Sequence, residues 1–134
     1  MLGRARQTWR VMRAGEAADD RHAARTAAIL RSLGAEDELV QAGLWHDSAK
    51  PSATRLWHRI AAVILTAAAP ALRRRLARGD GVLARYLDHP RRGALEAAAR
   101  GASPRVVALI AGHHEAPRTP DAVLLARADR EALP

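Results

Sequence analysis

Five of the six histidines stand at spaced positions beside acids: His22, His46 followed directly by Asp47, His89, the pair His113–His114, and then Asp129. Imidazole and carboxylate are metal donors, and with no sulfur in the set the borderline ions Fe, Mn, Co, Ni or Zn suit it better than Mg or Ca. Lys50 follows Asp47 by three residues and is the only lysine among 22 Lys and Arg. An ammonium in a chain that otherwise uses arginine suggests a compact, flexible charge at that point. Asp47 and Asp129 fall on apolar helix faces, where an ionised carboxylate is costly without a cation or several donors. A bound metal ion removes that cost.

The elements that must position these residues are all helical. Alanine, leucine and arginine dominate, strand-forming aromatics are few, and the 134 residues suit one all-α domain, spanning 1–134, of about six or seven helices. A short amphipathic helix is expected over 4–14, around Trp9 and Met12. From Asp20 a stripe of His22, Thr26, Ile29, Leu30 and Leu33 points His22 inward, and Gly34 supplies the stop. Glu36, Asp37 and Glu38 suit the start of the next helix, whose apolar face is Leu39, Val40, Gly43 and Leu44. Pro51 ends that helix, which puts His46 and Asp47 in its last turn and Lys50 in the exit loop.

Ser52 is expected to cap a third helix with Leu56, Ile60, Val63, Ile64 and Ala67 facing inward. Its stretch from Ile60 to Ala71 is the most apolar in the chain, yet it is far short of the ~20 residues that cross a bilayer, and a buried helix is expected. Pro70 begins a further segment to Gly79, whose arginines read as a solvated face. After the Asp80–Gly81 turn, a short helix through Leu87 delivers His89, and another over roughly 91–100 stops at Gly101. Ser103–Pro104 is a helix start that leads the stripe Val106, Ile110, His113, with Val107, Ala111 and His114 alongside. Thr119 caps the last helix, where Ala122, Leu125 and Asp129 share a face. His58 belongs to no motif and reads as a surface residue, and Trp45 as core packing.

The formal charge of +8 raises a nucleic-acid reading, but the arginine-rich, lysine-poor vocabulary looks like a codon bias, so nucleic acid is not the expected partner. A basic surface still favours anionic substrates. Absence of cysteine excludes disulfides, thiolate metal sites and cysteine nucleophiles. The first twenty residues have no secretory pattern, so a cytoplasmic protein without a membrane partner is expected.

His22, His46–Asp47 with Lys50, and Asp129 together resemble the H…HD…D pattern of the HD-domain superfamily of metal-dependent phosphohydrolases, over positions 22 to 129. LWHDSAK is similar to that family's apolar-HD-x-x-K segment and ARADR to its closing aspartate segment. His89-Pro90-Arg91-Arg92-Gly93 resembles the HPxxG segment, and His113-His114-Glu115 the HHE segment, of dinuclear members such as HD-GYP and YqeK-like proteins. The resemblance implies an all-α HD bundle with two divalent ions. His22, His46, Asp47 and Asp129 would hold the first, and Asp47 would bridge to a second held by His89 and by His113, His114 or both.

It also implies phosphate-ester hydrolysis by a metal-activated water, on a nucleotide or another small phosphate ester, with Asp47 and Lys50 as catalytic residues. Lys50 would neutralise phosphoryl oxygens, and Arg91 and Arg92 would clamp a second phosphate. After HHE the chain reads APRTPD rather than DGxGYP, which argues against cyclic di-GMP as substrate. The alternative is a metal- or nucleotide-binding module of little or no turnover.

Overall fold

The computed structural model describes residues 20–133, and the helix expected over 4–14 lies outside them. Among the described residues the fold is all-helical: eight helices and no strand. Helix α1 is described over residues 20–32, followed by α2 (Asp37–Trp45), α3 (Leu56–Ala68) and α4 (Pro70–Leu76). Then come α5 (Val82–Leu87), α6 (His89–Ala99), α7 (Pro104–Ala111) and α8 (Pro120–Glu131).

The helix ends follow local chemistry. Gly34 at φ 75° and Gly101 at φ 86° close α1 and α6 in the left-handed conformation that other residues avoid, and a Cβ at either would meet nothing within 4 Å. Conformation, not space, therefore asks for glycine there. Ser103 and Thr119 cap α7 and α8 as expected, each accepting a backbone N–H at the third following residue, with proline next in line.

One apolar cluster holds α1, α2, α6, α7 and α8 together, built on Ala27 and Leu30, Leu39 and Val40, Ala94 and Ala97, Val106 and Ile110, and Leu125 and Ala128. Fully burying a side chain such as Leu30 or Ile110 contributes about 1.5–3 kcal/mol. Gly43 lets α2 approach α1, because a Cβ there would collide with the Leu30 side chain. Leu44, expected on the same inward face, is turned outward.

Helix α3 overturns its expectation. It packs on α4 and α5, and the face expected inside is outside: Leu56 is 72 % exposed, Val63 70 %, and Ile60 and Ile64 half or more. The inner side is instead His58 with Ala61, Ala62 and Leu65. Apolar periodicity marks a face without saying which neighbour covers it, and here the bundle meets the opposite side. Ser52 does not cap α3. The N-cap is Arg55, whose backbone N–H donates to His58 Nδ1 at 2.8 Å. His58 is therefore buried, with its ring stacked on Trp57 at 3.8 Å, and is not the surface residue its isolation suggested.

Two boundaries move by a few residues, both near the histidines. Helix α2 ends at Trp45, so His46 to Lys50 form the turn after it, and His89 opens α6 instead of trailing α5.

Candidate metal centre

The turn after α2, the start of α6 and the turn after α7 meet over α1 and α8, and each brings an imidazole or a carboxylate. Three rings are aimed by the same local device: His46 Nδ1 donates to the Gly43 carbonyl, His89 Nδ1 to Tyr86 and His113 Nδ1 to Ile110, each at 2.6 Å and three residues back. A carbonyl can only accept, so Nδ1 carries the proton and Nε2 of the neutral ring presents a lone pair. Such a bond to the far nitrogen is what orients metal-ligating histidines.

Those Nε2 atoms converge on two carboxylates. His46 Nε2 lies 2.9 Å from Asp129 Oδ1 and 3.3 Å from Asp47 Oδ2, and His22 Nε2 lies 2.7 Å from Asp129 Oδ1. On the other side of Asp47, its Oδ1 is 3.1 Å from His89 Nε2 and 3.3 Å from His113 Nε2. A lone pair facing a carboxylate oxygen at this range is repulsive unless a cation intervenes. Either protons fill these gaps or metal ions do.

The donor set fits metal ions. His22, His46, Asp47 and Asp129 form one group and Asp47, His89, His113 and His114 a second, each with its ligand atoms within 4.8 Å of one another. Donors sharing one ion at ~2.1 Å stand about 3 Å apart, the separation seen across most of these pairs. Asp47 belongs to both groups. His113 and His114 both reach the second, with their rings 4.4 Å apart, but His113 is the one whose Nδ1 is held by the backbone. His114 packs edge-on to His89 at 4.5 Å. His114 is exposed at the surface, yet desolvation of its ring by the neighbouring protein, then His113 and His89, lower its pKa to about 3, so it stays neutral and able to ligate at neutral pH.

Without a metal ion the same geometry must hold protons. Burial opposes a charge on His46, which is 1 % exposed, yet hydrogen bonds and charge from Asp129 and Asp47 outweigh it and raise its pKa to about 10. Burial likewise works to raise Asp47, but hydrogen bonds from His113, His46 and His89 hold it well below the ordinary carboxylate value. Asp129 is lowered in the same way: burial opposes, and His46 and His22 prevail.

A cavity of about 340 Å³ opens over both groups, lined by His22, Asp47, His89, His114 and Asp129, with Lys50 at its wall. Arg91 and Arg92 are not there. Both turn onto Asp88: Arg91 grips the carboxylate through Nε and a terminal nitrogen at 2.6–3.1 Å, and Arg92 Nε lies 2.9 Å from it. Arg92 also donates to the Gly79 carbonyl at 2.7 Å, which ties α6 to the turn after α4. The cations that do line the cavity beside Lys50 are Arg25 and Arg59, with Tyr86. Sequence reading passed over both arginines, although Arg25 sits one turn beyond His22 on α1.

No protein-family model, curated protein or solved structure matches the chain.

Proposed function

We propose that the chain is an HD-type metal-dependent phosphohydrolase acting on a nucleotide or another small phosphate ester. One observation carries the reading: two groups of four His and Asp donors share Asp47, with three imidazoles held by backbone carbonyls so that Nε2 faces the carboxylates. The order of those residues along the chain is the H…HD…D order, with the His89 and His113 segments that accompany two ions.

Bound divalent ions would supply Lewis-acid activation of a water and of the phosphoryl oxygens. The chain's own residues do the rest. His22, His46 and Asp129 would hold one ion, His89, His113 and His114 the other, and Asp47 both. Lys50, Arg25 and Arg59 bring positive charge to the wall of the same cavity, where a phosphate dianion would be drawn and held. His89 lines that cavity, and both it and His46 are fully buried, so the inner side of the donor set lies within the fold.

The test is metal content and phosphate release together, on protein purified without chelator or histidine tag. Two ions per chain and phosphate release from a nucleotide panel under Mn, Fe, Co, Ni or Zn, both lost in Asp47→Ala with the helical spectrum intact, would bear the reading out. Metal binding with no phosphate released under any of these ions would leave a binding module. A chain that takes up no metal after reconstitution would refute both.

A further inference from the structure

We infer that an arginine-lined groove leading away from His114 binds a linear chain of phosphates, either a free oligophosphate or the tail of a nucleoside polyphosphate. Two cavities compose it. The first, about 560 Å³, is lined by His114 and Pro90 at one end and by Arg73, Arg74 and Arg91 beyond. The second, about 410 Å³, shares those three arginines and continues to Ala77 and Arg78. Because His114 also lines the cavity over the two donor groups, the groove starts at the candidate metal centre. Its direction toward that centre rests on the phosphohydrolase reading.

Charge and hydrogen bonding both favour an anion. Residues 70–79 contain no acid, and Arg74 and Arg78 have no ion pair among the described residues. Two acids line the groove. Asp88 is held ionised, since burial works to raise it and Arg91 and Arg92 lower it further, so its charge is already matched by two guanidiniums. Glu115 lies at the His114 end. The positive surplus therefore grows with distance from the metal centre.

Arg73 supplies an independent observation. A terminal nitrogen of its guanidinium donates to the Leu87 carbonyl at 3.2 Å, which fixes the fork, while its Nε–H is buried with no partner in the protein. Arg73 lines both cavities, so this fixed guanidinium joins them along one wall, while its buried Nε is closed to a ligand in the groove. Neither cavity presents a Trp or Tyr side chain. Single-stranded nucleic acids are held largely by stacking on such rings. A phosphate chain needs none, which decides between the two polyanions.

Equilibrium binding to the chelator-treated full chain tests this, with orthophosphate, pyrophosphate, tripolyphosphate and a nucleoside triphosphate as probes at fixed ionic strength. Affinity should rise with each added phosphate and be about ten-fold or more higher for tripolyphosphate than for orthophosphate. Arg74→Ala/Arg78→Ala should abolish most of that rise, while Arg31→Ala/Arg130→Ala, which removes the same charge elsewhere, should keep it. Equal binding of tripolyphosphate and the nucleoside triphosphate would identify the free chain, and tighter binding of the latter the nucleotide tail. Affinity independent of chain length, or equal loss in both double variants, would overturn the groove. A single-stranded oligonucleotide that outbinds tripolyphosphate and is released by Arg74→Ala/Arg78→Ala would overturn it in favour of nucleic acid. None of these readings requires turnover, so they stand or fall separately from phosphate release.

Discussion

Asp47 is the only residue in both donor groups, so its removal should act on two ions at once, whereas His22→Ala and His113→Ala should each act on one. An ion that binds the folded chain alone stabilises it by about 2.7 kcal/mol at one hundred times its dissociation constant. For a domain of this size 1 kcal/mol moves the melting temperature by roughly 3–5 °C, so each filled site should raise it by about 10 °C. Asp47→Ala takes one donor of four from each group. If each site weakens about 100-fold, the upper range for loss of even an indirect ligand partner, the same metal concentration leaves it half filled and stabilises by only about 0.4 kcal/mol. The metal-induced rise should then shrink from about 20 °C to a few degrees in Asp47→Ala, and to about half in His22→Ala or His113→Ala. Thermal melts of chelator-stripped protein, titrated with Zn or Mn at fixed ionic strength, provide the measurement. A full rise in Asp47→Ala would refute the shared carboxylate, and a full rise in His113→Ala would refute the second group.

The metal-free chain should also respond to pH through His46. Its folded pKa of about 10 lies above the ordinary 6.5, so its contribution is complete below about 6.5 and is lost as pH rises toward 10. The melting temperature of metal-free protein should fall across that window and that of metal-loaded protein should not; a flat metal-free profile would remove the proton-filled account of the site. Gly43→Ala should destabilise the fold by about 1–3 kcal/mol in chemical denaturation, because the added methyl collides with buried Leu30. An unchanged midpoint would mean that α1 and α2 are not packed as described. Ile60→Glu/Ile64→Glu should leave stability within about 0.5 kcal/mol per substitution despite lying in the most apolar stretch of the chain, since both side chains are exposed. A loss of several kcal/mol would show that the α3 face is covered.

Much of the site could be read from the chain because a ligand set is defined by residue type and by the helix end that carries it. Ser103, Thr119, Gly34 and Gly101 mark ends through chemistry local to a few residues, and the structure keeps all four. The donors gather at the other ends of these helices, His22 and His89 near the starts of α1 and α6 and His113 and Asp129 near the ends of α7 and α8. What could not be read is the rotation of a helix against its neighbours. Helix α3 carries an apolar stripe of the right period, yet its partners α4 and α5 meet the side with His58, Ala61, Ala62 and Leu65. Periodicity is a property of one helix, and burial is a property of two.

Arg91 and Arg92 had a legible signal of a different kind. Asp88 precedes Arg91 and Arg92 by three and four residues, the spacings at which opposite charges meet on a helix surface, and the structure forms both pairs. Proximity to His89 suggested a phosphate clamp, but a carboxylate one turn away is a fixed competitor. Applied to Arg25, the same spacing places it one turn from His22 on α1, hence beside the ligand set and on the cavity wall. Helical spacing that brings the donor groups together thus also sorts the arginines, into those held by a nearby acid and those that line the cavity over the donors. Arg91 falls on the first side of that division, since it grips Asp88, although it also lines the groove from His114. Its Nε and one terminal nitrogen are committed to Asp88, so an anion in the groove would have to compete with that carboxylate for it.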